Sequence, residues 1–375
     1  MGFSSKKKLL IVDDSAFMRK LVGDFFDGNL NIEVVGTARN GKDAIEKIQK
    51  LQPNVVTMDV EMPEMNGLDA LREIMSICPV PVVMLSSTTK QGTENTLIAM
   101  EYGAVDFVAK TSGTISLDLH KIKEELVQKV ESAANISVTK LKRPLEVARK
   151  TEPFKAERPF NIPHIKKQQP VTSPIPNKRE WSKTSKKIIL IGTSTGGPRA
   201  LQEVITKIPE NVNAPILIVQ HMPAGFTKSL ANRLDQLSSI HVKEAEQGDI
   251  LKDGVAYIAP GGYHLKLRKI GTTYAIVLDQ TEPPRSGHRP SVDVMFEDVS
   301  SCHDMDKIAV IMTGMGQDGA NGLKALKKSG NVRAIAESAD TCIVYGMPKA
   351  AVETQLVDEV VDVDHIAQTI MKYMY

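Results

Sequence analysis

Residues 9–19 read LLIVDDSAFMR, and residues 55–67 read VVTMDVEMPEMNG. Each stretch opens with an apolar run of the length typical of a strand buried on both faces, and each run leads into aspartate. A helical pattern follows the first run from Ala16 onwards. The same alternation of short apolar run and helical pattern occurs five times before about residue 130. This alternation predicts an α/β fold with a doubly wound parallel sheet and helices on both faces.

The ends of these predicted strands carry charged and hydroxyl side chains: Asp13, Asp14, Asp59, Ser86 and Lys110. Because parallel sheets bind ligands at the carboxyl ends of their strands, we expect these side chains to converge. Converging carboxylates repel one another unless a cation is present, and oxygen ligands of this charge suit Mg²⁺. A transferring phosphoryl group needs a metal, a lysine and a hydroxyl, and a carboxylate can accept it as an acyl phosphate. Singly, these residues could be helix caps or surface side chains, but as a set they predict a phosphoryl-acceptor site at Asp59.

Together with DFVAK at 106–110, these motifs resemble the response-regulator receiver family over residues 6 to about 130. The resemblance implies that a histidine kinase phosphorylates Asp59. The other implied roles are Mg²⁺ binding by Asp14, Asp59 and the Glu61 carbonyl with Asp13 nearby, phosphoryl contacts by Ser86 and Lys110, and reorientation of the aromatic Phe107 on activation.

The second half of the chain again alternates buried-strand runs with helical patterns. KIILIG at 187–192, PILIVQH at 215–221 and IAVIMTG at 308–314 are such runs. Between the last two we expect a β-rich insertion with VAYIA, HLKLR and TYAIVLD as strands and IGTT as a hairpin turn. The prediction is a second α/β unit with a mainly parallel sheet and an antiparallel β insertion.

The GTSTG sequence at 192–196 lies between a predicted strand and a predicted helix. A GxSxG turn in this position can expose a serine at the sheet edge, here Ser194. The glycines could instead form a phosphate-binding turn, although the spacing is not GxGxxG and no acidic residue ends the second strand. A purely structural loop is the third possibility.

A nucleophilic serine needs a base with a carboxylate behind it. His221 ends a predicted buried strand, and Asp318 lies in the glycine-rich turn after another, so both can converge with Ser194. His288, in the loop PPRSGHRPSVD, could line the pocket, whereas His264 more simply packs or faces solvent. The residues alone favour His221 as the base without excluding the others.

Four blocks of the second half, IGTSTGG, QHMP, GHRPSVDVMF and TGMGQDGA, resemble the chemotaxis protein-glutamate methylesterases, the CheB family, over residues 186 to about 370. Thr193 stands where many members have alanine. The resemblance implies that the substrates are methyl-accepting chemotaxis receptors, that the phosphodonor is the chemotaxis histidine kinase, and that some members also deamidate receptor glutamines. The implied site residues are the nucleophile Ser194, the base and acid His221, the orienting carboxylate Asp318 and the oxyanion-hole N–H of Met315.

Residues 140–187 carry 14 Lys and Arg against 4 Asp and Glu, whereas the whole chain has a net charge of only +2. This basic, proline-rich stretch predicts an extended linker, with Trp181 near its end docking on a folded unit. The expected organisation is a receiver over 1–136, a linker over 137–185 and a catalytic domain over 186–375.

No apolar run approaches the roughly 20 residues that span a bilayer, and three scattered cysteines suit a reducing compartment. We therefore expect a cytoplasmic protein without membrane insertion. The functional hypothesis is a hydrolase whose site the unphosphorylated receiver covers. The alternatives are a hydrolase of another ester or amide, and a non-catalytic regulator that binds a partner or nucleic acid. Nucleic acid is disfavoured because the second half is net acidic.

Overall fold

The computed structural model describes residues 6–110, 117–141, 181 and 185–374. The five predicted βα units of the first half are all present. The strands are β1 (Lys7–Val12), β2 (Ile32–Ala38), β3 (Val55–Asp59), β4 (Val82–Ser87) and β5 (Asp106–Lys110). The helices are α1 (Ala16–Phe25), α2 (Gly41–Leu51), α3 (Gly67–Ile77), α4 (Lys90–Glu101) and α5 (Leu117–Ala133). Ser15 caps α1 by accepting from Met18 N–H, so the helix cap is not one of the two preceding aspartates.

The first sheet has the strand order β2-β1-β3-β4-β5, and every neighbouring pair is parallel. The apolar run that opens the sequence is buried: Leu9, Leu10, Ile11 and Val12 are each 0% exposed. Helices cover both faces of such a sheet, which explains why its strands are continuously apolar. The carboxyl ends of β1, β3 and β5 consequently lie at one edge, where the acidic residues and Lys110 were expected.

The second unit is also α/β, as predicted. Its strands are β6 (Lys187–Thr193), β7 (Ile216–Gln220), β8 (His241–Glu244), β9 (Val255–Ile258), β10 (His264–Ile270), β11 (Thr273–Asp279), β12 (Asp306–Ile311), β13 (Val332–Glu337) and β14 (Glu359–Val361). Its helices are α7 (Gly197–Ile205), α8 (Phe226–Leu237), α9 (Val292–Ser300), α10 (Ala320–Ser329), α11 (Met347–Glu353) and α12 (Val363–Met374). Seven strands form one parallel sheet in the order β14-β13-β12-β6-β7-β9-β8.

The predicted antiparallel insertion is smaller than expected. Among the strands that the structure describes, only β10 and β11 pair antiparallel, with Ile270 opposite Thr273 across the turn. The prediction that the VAYIA run belongs to the insertion is wrong. This run forms β9, which pairs in parallel with both β7 and β8 in the main sheet. A short apolar run has the same appearance in either setting, and only its partners distinguish the two.

The first residues of the predicted linker form a one-turn helix, α6 (Val138–Leu141). Lys140 Nζ donates to the carbonyls of Ala339 at 2.6 Å and Cys342 at 3.0 Å, so α6 is tied to the second unit. Most of the predicted linker, residues 142–180, lies outside the described residues. The predicted boundaries therefore stay predictions.

The expected docking of Trp181 is confirmed. Its ring lies edge-on to that of Tyr373, with 6.0 Å between centroids, and the Arg333 guanidinium lies 5.5 Å from its centre. Across the described part of the chain, no helix combines the length and the apolar character needed to cross a membrane.

Candidate functional site

The acidic residues at the edge of the first sheet converge as expected. Lys110 Nζ, at the end of β5, lies 3.0 Å from Asp13 Oδ2 and 2.8 Å from Asp59 Oδ2. Carboxylate oxygens of Asp13, Asp14 and Asp59 all lie within 4.8 Å of one another. Asp14 and Glu61 line an open cleft at this edge. One ammonium group thus contacts two of three clustered carboxylates, which leaves a surplus of negative charge.

Two residues of this cluster, Asp59 and Lys110, have shifted pKa values. Burial raises the pKa of Asp59 above its ordinary value, and the nearby Asp13 charge adds to this against the attraction of Lys110. Burial alone would lower the pKa of Lys110, but Asp59 and Asp13 outweigh it and raise that pKa. A hard cation with oxygen ligands would relieve the surplus charge, so the donor set fits Mg²⁺.

Ser86 does not join this cluster directly. Its hydroxyl is fully buried, donates to the Gly92 carbonyl at 3.0 Å and accepts from Thr96 Oγ1 at 2.6 Å. The side chain is therefore bonded within the turn that leads into α4. Its contact with a phosphoryl group stays a prediction that requires this turn to rearrange.

In the second unit, Ser194 follows β6 at a tight strand-to-helix turn. Gly196 has φ 77°, a conformation that favours glycine, and precedes the first residue of α7. A Cβ on Gly197 would lie 1.9 Å from Gln220 Oε1 and 2.6 Å from Thr193 Oγ1. The glycines are thus required by backbone conformation and close packing, and the turn presents a half-buried Ser194 at the sheet edge.

His221 directly follows β7, the strand beside β6. Thr193 and Gln220 are register partners, and His221 N–H donates to the Thr193 carbonyl at 3.2 Å. Gln220 Nε2 donates to the Ser194 carbonyl at 3.0 Å. The serine and the histidine therefore occupy equivalent positions at the ends of two adjacent strands, as the sequence predicted.

Asp318, in the loop between β12 and α10, contacts the histidine: His221 Nε2 lies 2.8 Å from Asp318 Oδ2. His221 Nδ1 is buried and makes no hydrogen bond within the described part of the chain. Among those same residues, no hydrogen bond joins Ser194 Oγ to the ring. The ring is thus held through Nε2, and Nδ1 is the nitrogen left for a serine proton.

The carboxylate of Asp318 lies at the N-terminus of α9. It accepts from Ser291 Oγ at 2.9 Å and from the backbone N–H groups of Val292 at 2.7 Å and Asp293 at 2.9 Å. Burial opposes its ionisation, but the bonds from His221, Asp293 and Val292 outweigh burial and lower the pKa of Asp318 to about 2. Asp318 is therefore a fixed negative charge behind the imidazole.

Sequence reasoning missed the role of Ser291, which both caps α9 and bonds Asp318. The available signal was a serine directly before a helical run, the usual place of a cap. Nothing in the pattern indicated that this cap would also meet a residue 27 positions further along the chain.

The loop that carries Met315 is folded tightly beside the serine. Ser194 N–H donates to the Thr313 carbonyl at 2.9 Å, and the Gly314 carbonyl accepts from Gly346 N–H at 3.1 Å and Met347 N–H at 2.9 Å. Within the described residues, Met315 N–H donates no hydrogen bond. An unused N–H next to a candidate nucleophile is compatible with the expected oxyanion hole.

His288 lies against the histidine of this site. The rings of His221 and His288 are stacked, with centroids 3.8 Å apart and planes 7° apart. The sequence suggested only that His288 could line the pocket. His264, by contrast, is 0% exposed and bonds the Pro283 carbonyl, so it packs in the core, one of the two settings expected for it.

The two units meet close to the serine. Phe107, 3% exposed, stacks on Phe226 of α8 with 4.5 Å between ring centroids. Asp106 Oδ2 accepts from Thr195 Oγ1, one residue after Ser194, at 2.5 Å. The aromatic residue expected to switch in the first unit is therefore buried in the contact between the units.

Comparisons with known proteins agree with this architecture. The family model described as CheB methylesterase matches residues 189–370, and that described as response regulator receiver domain matches residues 9–121. The protein-glutamate methylesterase/protein-glutamine glutaminase of Halalkalibacterium halodurans is 53% identical over 368 residues, which cover 98% of each chain. The chain belongs to the CheB methylesterase family.

A second relative supports the same assignment. The protein of that name from Bacillus subtilis is 50% identical over 363 residues, 97% of each chain. Among solved structures, the CheB methylesterase catalytic domain of Thermotoga maritima is 44% identical, with a TM-score of 0.49, and covers 50% of this chain and 99% of that one. Because the chain belongs to this family, we interpret the second unit as a methylesterase domain and not as a nucleotide-binding or nucleic-acid-binding domain.

Proposed function

We propose that this chain is a serine hydrolase that removes methyl esters from glutamate side chains of methyl-accepting chemotaxis receptors. The observation that carries the proposal is the His221–Asp318 pair, at 2.8 Å, beside Ser194 at the carboxyl ends of adjacent strands. The names of relatives 50–53% identical over nearly the whole chain support the choice of substrate.

In the first half of the reaction, Ser194 Oγ attacks the ester carbonyl while His221 Nδ1 takes its proton. Asp318 holds the ring through Nε2 and stabilises the imidazolium. The Met315 N–H donates to the developing oxyanion, a contact that typically contributes about 3 kcal/mol. His221 then returns the proton to the leaving methoxide, and methanol departs from the acyl-enzyme.

In the second half, His221 deprotonates a water molecule that attacks the acyl carbonyl, and the proton passes to Ser194 Oγ. The products are a free receptor glutamate and the restored serine. The same steps on a glutamine side chain would release ammonia in place of methanol. We include this deamidation in the proposal because the relatives' names contain protein-glutamine glutaminase.

In the first unit, Asp59 accepts a phosphoryl group from the chemotaxis histidine kinase. Asp14, Asp59 and the Glu61 carbonyl would hold Mg²⁺ with Asp13 nearby, and the bound ion would supply positive charge to the phosphoryl oxygens. The Lys110 ammonium lies 3.0 Å from Asp13 and 2.8 Å from Asp59, close enough to pair with the phosphoryl oxygens as well. Ser86 donates a hydrogen bond to one of them once its turn has moved.

Phosphorylation regulates the hydrolase by weakening the contact between the two units. Phe107 of β5 stacks on Phe226, on the helix that follows His221. Asp106 of β5 bonds Thr195, the residue after Ser194. A receptor segment that approaches Ser194 must compete with these contacts. Reorientation of Phe107 would end its stacking on Phe226 of α8. The population of molecules would then shift towards those in which the site is accessible.

The proposal includes the predicted organisation of 1–136, 137–185 and 186–375 and a cytoplasmic location. Cys78, Cys302 and Cys342 are all free thiols, which suits a reducing compartment.

The test is methanol release from a methylated receptor fragment by the full chain. We expect release to be lost in Ser194→Ala and to be stimulated by a small phosphodonor with Mg²⁺. The stimulation should be absent in Asp59→Asn, while basal release persists. Methanol release by Ser194→Ala at the wild-type rate would refute Ser194 as the nucleophile, and absence of release by the wild-type chain would refute the hydrolase. Equal stimulation of Asp59→Asn would refute the regulation.

A further inference from the structure

The imidazole of His221 is held by hydrogen bonding at one nitrogen only. Asp318 bonds Nε2 at 2.8 Å, whereas Nδ1 has no partner within the described residues. A single hydrogen bond fixes one atom of the ring but leaves the ring free to tilt about that contact. Transfer of a proton from Ser194 needs Nδ1 at a defined angle, so another contact has to define the plane of the ring.

The ring of His288 packs against the imidazole of His221 and makes this contact. Its ring lies nearly parallel to that of His221, at 7°, with 3.8 Å between centroids. The His221 side chain is only 4% exposed, and this stack covers one of its faces. The His288 side chain makes no hydrogen bond among the described residues, so its contact with His221 is through the ring face.

The backbone that carries His288 is itself firmly held. Arg285 and His288 exchange both backbone hydrogen bonds at 3.0 Å, and Ser286 and Gly287 have φ of 52° and 82°, which makes a two-residue hairpin turn. Arg285 pairs with Glu282 at 2.6 Å and also with Glu297 of α9.

The segment from His288 to Ser291 contacts both His221 and Asp318. Three residues after His288, Ser291 bonds Asp318 Oδ1 at 2.9 Å and caps α9. One short stretch of chain thus stacks on the histidine and bonds the carboxylate. Movement of the hairpin would disturb both contacts.

We propose that His288 is a positioning residue for the hydrolase: its ring stacks on His221 and fixes the plane in which Nδ1 meets the Ser194 proton. This inference deepens the proposed function and rests on it. His288 acts through His221 and takes no proton in the reaction.

The charge state of His288 fits this role. Burial, followed by the proximity of His221, lowers the pKa of His288 to about 4, with Lys129 of α5 acting in the same direction and Asp318 opposing it. A neutral ring can remain stacked when His221 becomes an imidazolium. A second cation in that place would oppose the proton transfer from Ser194.

The test is the rate at which a serine-reactive phosphonate labels Ser194 in the full chain, treated with a small phosphodonor and Mg²⁺. In His288→Ala we expect the maximal labelling rate to fall roughly tenfold to a hundredfold, because the ring loses its alignment. The half-saturating phosphonate concentration should stay unchanged. His288→Phe keeps a flat ring for stacking and should stay within about threefold of wild type.

His288→Leu fills similar space without a flat face and should behave like His288→Ala, so the Phe–Leu comparison decides the matter if the alanine variant does not fold. His365→Ala, an exposed histidine on α12, is the control for removal of an imidazole. Wild-type rates in His288→Ala and His288→Leu, a phenylalanine variant as slow as leucine, or a change confined to half-saturation would each overturn the inference. Absence of Ser194 labelling in wild type would instead contradict the proposed function, since labelling does not depend on the natural substrate.

Discussion

At the scale of single residues, Asp318 combines a buried position with a pKa of about 2 and four hydrogen-bond donors. In Asp318→Asn the neutral amide cannot stabilise the imidazolium at His221. We expect the turnover number for methanol release to fall roughly 10³- to 10⁴-fold. The matched control is Asp235→Asn, because Asp235 makes the same kind of contact, 2.8 Å, with the exposed His241. Activity of Asp318→Asn close to that of the control would contradict the orienting role.

Glu337, at the end of β13, gives a prediction about pH and stability. Burial raises its pKa from 4.5 to about 7, against opposing hydrogen bonds from Thr313 N–H and Thr341 Oγ1. Between these two pH values the folded chain binds a proton that the unfolded chain has lost, so stability falls as pH rises through the window. The loss is on the order of 3 kcal/mol. Urea unfolding of Glu337→Gln should lack this component, and an identical pH dependence in variant and wild type would exclude the raised pKa.

Some residues of the site could be predicted from the sequence next to them, and others could not. Ser194, His221 and Asp318 could be predicted because each follows an apolar strand run, and the strands of one parallel sheet end at one edge. His288 and Ser291 could not be predicted in their observed roles. They lie in an irregular hairpin and a helix cap, whose contacts with His221 and Asp318 depend on how distant segments pack.

At the scale of elements, the β6–α7 turn depends on the absence of a side chain at Gly197. In Gly197→Ala the new Cβ would displace Gln220, which is buried and bonds the Ser194 carbonyl at 3.0 Å. We expect a loss of about 1–3 kcal/mol in the free energy of unfolding, as for other overpacked sites, together with slower Ser194 labelling. Gly225→Ala is the control, since its Cβ would meet no atom within 4 Å although its φ is 88°. It should destabilise through backbone conformation without slowing the labelling, and an equal effect of both variants on labelling would exclude the packing explanation.

The elements themselves were predictable where a pattern was long or repeated. All five helices expected in the first unit form, and α1 begins at Ala16 as predicted. The exceptions are short. The four-residue strand β9 was expected in the insertion but lies in the main sheet, and the four-residue helix α6 begins a stretch expected to be extended. Short elements gain most of their stability from tertiary contacts, here pairing of β9 with β7 and bonding of Lys140 to Ala339, which local sequence does not encode.

At the scale of the whole molecule, the contact between the two units could not be read from the sequence, because the linker fixes no geometry. Within the described residues it includes a bidentate ion pair between Arg233 of α8 and Glu101 of α4, with N–O distances of 2.7 and 2.9 Å. The Arg233 side chain is 39% exposed and that of Glu101 is 18% exposed. The pair is therefore partly screened, yet it links the helix after His221 to the helix before β5.

The charge of this pair can be exchanged to test whether the contact restrains the hydrolase. Glu101→Arg places two cations together and Arg233→Glu two anions, so each single variant should open the contact and raise basal methanol release by roughly two- to fivefold. The double variant Glu101→Arg/Arg233→Glu restores opposite charges and should return basal release towards the wild-type value. In both single variants a phosphodonor with Mg²⁺ should add proportionally less, because part of the population is already open. Unchanged basal release in both single variants would show that the observed contact does not cover the site, and elevated release that persists in the double variant would assign the effect to the substituted side chains themselves.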